Sequence, residues 1–204
     1  MKNAKKLLAL LLCAVLLVGA SIAGTVAYLT SQDSVTNTFT VGKVAITLDE
    51  LDTDNDKVTS DNVSYENNVI RDKANEYHLM PGSTYTKDPT VHVKNDSEDS
   101  YIFVEIDNQL KDIIDTITIE DQIVANDWTI LEVGGNVYYK EWTQPDENTD
   151  GYTDLVVFEN FKIINNVSNT DLATYEGKTI SVTAYAIQME NTTDAETAWG
   201  ILNP

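Results

Sequence analysis

The chain has 204 residues, with 33 acidic against 13 basic side chains, one cysteine and a formal net charge of −20. Phosphate backbones need a positive face, so this balance excludes nucleic-acid binding, and the plain reading of the acidity is solubility outside a cell. One cysteine cannot build a disulfide framework, so an ordinary hydrophobic core must hold the fold together.

Lys2, Lys5 and Lys6 open the chain, Leu7 to Val18 follows without a charge or amide, and Gly19, Ala20, Ser21, Ala23 and Gly24 come next. A basic start, an apolar run and a small-residue exit describe a signal peptide over residues 1–27. The competing reading is a retained membrane anchor, since Leu7 to Ala27 spans 21 residues and a transmembrane helix needs roughly 20. Gly19, Gly24 and Thr25 weaken the helix where a peptidase needs extended chain, which favours cleavage. Thr25 and Ala27 are the small residues of a cut after Ala27, leaving Tyr28 as the new N-terminus; Ser21 and Ala23 permit an earlier cut. Leu12 before Cys13 is not the small residue a lipoprotein site wants, so lipidation is not expected. Cleavage leaves 177 residues without cysteine, and because the peptide carries three lysines and no acid the charge goes from −20 to −23. Membrane contact is expected only through the uncleaved peptide.

Beyond the junction, Phe39 and Val41 are two apart, as are Val44, Ile46 and Leu48, so the apolar phase flips between Val41 and Val44. One strand keeps both halves facing the same core if Gly42 takes the αL position of a bulge. Two short strands with a turn at Gly42-Lys43 are the alternative. Asp52 to Asn68 is polar and acidic and reads as a long surface loop. Pro81-Gly82 fits the centre of a type II turn. It precedes a strand at Tyr85 to Val93, where Tyr85, Val91 and Val93 share a face and Pro89 marks an edge or a bulge. Further strands are expected around Ile102, Val104 and Ile106, at Val137 to Tyr139, at Leu155 to Phe161, and at Lys178 to Met189 with Ile180, Val182, Ala184 and Ala186 in phase. Gln109 to Asp115 and Asp194 to Leu202 are the expected short helices, the second with Thr193 as N-cap. These spacings suit an all-β antiparallel β-sandwich with one or two short helices, a single domain over residues 28–204.

A zinc hydrolase needs paired imidazoles with a base beside them, but only His78 and His92 are present, 14 apart, and both read as ordinary surface or strand residues. No nucleophile elbow or Gly-rich phosphate loop appears, so neither catalysis nor a cofactor is expected. Asp52, Asp54 and Asp56 alternate like the start of a calcium loop, but Lys57 and Val63 stand where an EF-hand needs Gly and Glu. The stretch reads as a solvated acidic loop, these three aspartates being the candidates for a weak calcium site.

Cleavage would free the strand that begins at Tyr28. Ser31 to Thr40 is rich in Ser, Thr, Asn and Gln, with Val35, Phe39 and Val41 spaced as anchors, too polar for a core yet able to form a ladder. Tyr28 to Val41 is therefore expected to pivot at Gly42 and add a strand to a neighbouring subunit. Such pairing is head-to-tail and does not close, so it grows a filament. A disordered terminus is the alternative.

The export segment running into AYLTSQDSVTNTFTVGKVAITLDE resembles SipW-dependent signal peptides, which lead into a Phe-x-x-Gly-x-x-x-Ile/Leu-x-Leu strand. LMPGSTYTKDPTVHVKNDSEDSYIFVEI and ISVTAYAIQMENTTDAETAW resemble two further segments of the TasA/camelysin (CalY) family. The three stretches cover a little under half the chain, and the likeness does not extend to Asp107 to Asn169. The resemblance implies a jelly-roll sandwich, export through a dedicated signal peptidase of a Gram-positive bacterium, and self-assembly into biofilm matrix fibres. Some members are described as metalloproteases, but none of their metal-ligand clusters carries over onto these residues. The expected function is a secreted, non-enzymatic fibre subunit of the extracellular matrix or cell surface. A monomeric adhesin or accessory matrix protein is the alternative, and a secreted protease a third reading.

Overall fold

The computed structural model describes residues 6, 12–13, 43–54, 63–64, 70–132, 135–145, 151–190 and 192–203. The chain divides into two units, Met1–Val41 and Gly42–Pro204, and the fold described below belongs to the second. Ala27, Tyr28, Val35, Phe39, Val41, Gly42 and Asp56 lie outside the described residues. Among the described residues no helix is long and apolar enough to cross a membrane.

The described residues of the second unit are mostly β, with three antiparallel sheets and three short α-helices. In chain order the strands are β1 Ile46–Leu51, β2 Val63–Ser64, β3 Ile70–Asp72, β4 Thr84–Thr86, β5 Thr90–Lys94, β6 Ser100–Asn108, β7 Thr129–Ile130, β8 Val137–Trp142, β9 Tyr152–Val156, β10 Asn160–Lys162 and β11 Ile180–Gln188. The helices are α1 Ile119–Ala125, α2 Asn169–Leu172 and α3 Ala195–Leu202. One sheet runs β2-β3-β1-β5-β9, a second β11-β6-β8-β7, and β10-β4 form a small third.

Strand alternation separates two apolar clusters. Ile102, Val104 and Ile106 of β6, Tyr138 and Trp142 of β8, and Ile180, Val182, Ala184 and Ala186 of β11 turn to one side, where Val91 and Val93 of β5 meet them in the main core. The phases expected for β6 and β11 are the ones observed. On the other side Tyr101, Phe103, Tyr139 and Tyr185 pack against α3, with Trp199 5.2 Å from both Phe103 and Tyr185.

The expected strand Tyr85 to Val93 is two strands, β4 and β5, with Pro89 in the gap rather than within a strand. Leu155 to Phe161 divides likewise into β9 and β10. The pairing register does not slip across the gap: Thr86 faces Asn160 and Thr90 faces Val156. Pro89 has no N–H to give to a ladder, so the strand breaks there while the two chains stay side by side. Lys87 N–H donates to the Glu159 carbonyl and Val157 N–H to the Pro89 carbonyl, at 3.0 and 2.8 Å.

The opposite side of that gap is closed by α1, a helix absent from the sequence expectations. Its Thr118-x-x-Asp121 start is a complete capping box. Its end is a Schellman turn in which Asp127, at φ 62°, takes the place usually held by Gly and Trp128 N–H reaches the Ile123 carbonyl. Gln122 bonds the backbone of Glu159 and Asn160, Asn126 the carbonyl of Val157, and Trp128 Nε1–H the carbonyl of Val156. Those groups lack ladder partners, and α1 supplies them.

Other elements differ in extent. Gln109 to Asp115 holds one 3₁₀ turn, Lys111–Ile113, because Leu110, Ile113 and Ile114 are all buried and crowd into a single turn of chain. The C-terminal helix ends as expected but begins one residue later, at Ala195, because Asp194 is the N-cap, accepting from Thr197 N–H, in place of Thr193. The loop expected over Asp52 to Asn68 is interrupted by β2, which pairs with β3. Pro81-Gly82 forms the expected turn: Gly82 lies at φ 75° and Ser83 N–H donates to the Met80 carbonyl at 3.2 Å.

Candidate functional site

β11 is the edge of its sheet. It pairs along all nine residues with β6 on one side, and among the described residues no strand pairs with the other. Gln109 N–H donates to the Thr179 carbonyl and Met189 N–H to the Asp99 carbonyl. By strict alternation the odd-numbered residues face β6, leaving the backbone groups of Ile180, Val182, Ala184, Ala186 and Gln188 on the open side. A long open edge is a template for another strand. Lys43 and Val44, where the chain enters this unit, line a shallow groove with Ala186, Ile187, Gln188 and Ile201. Ile201 is exposed. The chain therefore enters next to the end of its own open edge.

The second feature is a polar cluster on β1, β3 and β5. Val91 and Val93 point into the core, so His92 points the other way, yet it is only 3 % exposed. His92 Nε2 lies 2.9 Å from Asp49 and Nδ1 2.6 Å from Asp154. Arg71 Nε also donates to Asp49, its Nη1 donates to Asp88 at 3.0 Å, and its Nη2 reaches the Asp88 carbonyl and Thr90 Oγ1. His92 is thus not the ordinary strand residue expected from its surroundings in sequence, whereas His78 is exposed on the surface as expected.

Both ring nitrogens of His92 face carboxylates, and only the imidazolium can donate to both. Burial pulls its pKa down, but the bonds and charges of Asp49 and Asp154 outweigh that and hold it above the ordinary 6.5. Burial pushes Asp49 up, while His92 and Arg71 hold it below the ordinary 3.8. The two signs are opposite. Asp49 contributes stability above 3.8 that is lost as pH falls through its folded value, and His92 contributes stability below 6.5 that is lost as pH rises through its folded value. Thermal melts should therefore show this contribution complete between those limits and declining on the alkaline side, and His92→Gln should flatten the alkaline decline.

No family model, curated protein or solved structure matches this chain. The site is accordingly read from its own residues.

Of the calcium candidates, Asp52 and Asp54 come together, and Asp72 of β3 joins them: one carboxylate oxygen from each lies within 4.8 Å of the others. Arg71, Asp72, Asp88 and Asp154 were all absent from the sequence reading. They are brought together by strand register, which no spacing along the chain reveals. The one available signal was phase: Asp49 and His92 alternate with core residues and had to point away from the core.

Proposed function

We propose that the processed chain is a secreted, non-enzymatic structural subunit of extracellular matrix or cell-surface fibres, exported through a dedicated signal peptidase. On this reading the two large sheets form a jelly-roll-like sandwich, and residues 28–41 of one subunit add a strand to the next, head to tail. The observation that supports it is the open edge of β11, where among the described residues the outward backbone groups of Ile180, Val182, Ala184, Ala186 and Gln188 meet no other strand, and which ends beside the point of chain entry. Main-chain bonds along such an edge give affinity, and the alternate side chains Val35, Phe39 and Val41 give register.

Electron microscopy of the purified processed protein tests the proposal together with two variants. Deleting residues 28–37 removes the donor. Val182→Pro removes an N–H from the open side of β11 without taking a bond from β6, costing about 1 kcal/mol in lost packing. Filaments from the native protein and monomers from both variants, each variant melting near the native temperature, are expected. Filaments from the deletion variant would overturn donor-strand assembly, and persistent monomers of the native protein would favour the adhesin.

A further inference from the structure

We infer that Asp52, Asp54 and Asp72 form a binding site for one divalent cation of calcium's size. The site joins two stretches far apart in sequence, the end of β1 and the end of β3. A polar clip holds them in place. Asp52 N–H donates to the Ile70 carbonyl at 3.2 Å, and Thr53 gives both its N–H and its hydroxyl to Asn75 Oδ1 at 2.7 and 2.9 Å. Asn75 Nδ2 in turn bonds Glu50 and the Leu51 carbonyl, each at 3.0 Å. Asp54 Oδ2 accepts from Glu76 N–H at 2.6 Å. Asp52 and Asp54 are thereby fixed on either side of Thr53, with Asp72 opposite them at the end of β3.

Two independent observations point to a cation. The first is spacing: the three carboxylate oxygens lie within 4.8 Å of one another. Calcium bonds oxygen at about 2.3–2.6 Å, so ligands on opposite sides of the ion stand about 4.6–5.2 Å apart, and all three oxygens fit one coordination sphere. Magnesium demands strict octahedral geometry and dehydrates reluctantly, so three protein carboxylates suit calcium better. The second is Asp72 itself, which is 0 % exposed. Its Oδ1 accepts from the N–H groups of Lys73 and Ala74, whereas its Oδ2 has no hydrogen-bond partner among the described residues. A buried carboxylate with an unmatched oxygen is costly, and a cation shared with two neighbouring carboxylates removes that cost. Main-chain carbonyls and water would complete the shell, as in other calcium sites.

Calorimetric titration of the purified full chain with calcium chloride, in chelator-treated buffer at physiological ionic strength, tests the site. One saturable event with a Kd of about 10⁻⁴–10⁻³ M is expected, with weaker binding of magnesium. Calcium at tenfold over Kd should raise the melting temperature by about 3–5 °C. Asp72→Asn keeps an oxygen for Lys73 and Ala74 but removes the charge, and should weaken calcium about tenfold or more. In chelator the same variant should melt no lower than the native chain, since it removes an unmatched buried charge. Asp54→Asn supplies a second test if Asp72→Asn does not fold, and Asp112→Asn on the exposed surface should change nothing. Heats that never saturate, or equal affinity in Asp72→Asn, Asp54→Asn and Asp112→Asn, would mean diffuse counterion binding and would overturn the site.

Discussion

Arg71→Leu is expected to cost the fold about 3–5 kcal/mol, which in a protein of this size is a fall of roughly 10 °C or more in melting temperature. Arg71 is the side chain that links the Asp49 and Asp88 carboxylates, and its Nη2 also holds the Asp88 carbonyl and Thr90 Oγ1. Asp49 is 3 % exposed, and its Oδ2 has no hydrogen-bond partner among the described residues, so its charge depends on Arg71 and His92. Removing one partner of a buried ion pair costs more than the pair contributes, because the remaining charge stays desolvated. The variant should also be more sensitive to alkaline pH, since His92⁺ becomes the last cation on Asp49. Adding Asp49→Asn should recover part of the loss, and a double-mutant cycle measures the coupling. A fall below about 1 kcal/mol for Arg71→Leu would mean that water reaches Asp49, as at a surface ion pair.

Trp128→Ala is expected to be comparably severe, at about 3–5 kcal/mol. Trp128 is among the largest fully buried side chains, follows the αL residue Asp127 that ends α1, and lies 5.3 Å beneath the Lys140 ammonium. Its Nε1–H also reaches the Val156 carbonyl at 2.8 Å, just where the β5–β9 ladder stops. Alanine would leave a cavity in the main core and an unmatched carbonyl at the strand break. Trp128→Phe keeps most of the volume and loses the bond, so it should cost about 1–3 kcal/mol. Urea unfolding with an unchanged m-value separates these losses from a change in the unfolded state. Equal losses in the two variants would place the whole effect on the hydrogen bond rather than on the cavity.

Much of the fold was legible where side-chain period and burial agree. Ile102, Val104 and Ile106, and Ile180 through Ala186, alternate cleanly because both strands line the main core, and a one-residue slip would have reversed every side chain. Pro81-Gly82 was legible because a type II turn requires that order of restricted and permissive residues. The two missed helices had signals of their own in Thr118-x-x-Asp121 and Ser168-x-x-Asp171, both complete capping boxes. Both are short, of seven and four residues, so apolar periodicity has little length in which to show. Pro89 signals an edge or a bulge within one strand, whereas in the structure the strand breaks there without a change of register. Whether it bends a strand or ends it depends on what satisfies the neighbouring carbonyls, and Gln122, Asn126 and Trp128 lie well away from it in sequence.

The sequence by itself determined the acidic character, the mostly antiparallel β content, the core phases of β6 and β11, and the turn at Gly82. Each follows from composition or from a period of two along one segment, a property that local sterics and burial impose on any chain with that pattern. Tertiary structure alone decided which charges meet. Asp49, Arg71, Asp88, His92 and Asp154 come from four separate stretches, and Asp72 meets Asp52 and Asp54 from the neighbouring strand. Charge is a property of one residue, but its free energy depends on distance and burial, and both are set by strand register between segments that composition and spacing do not pair.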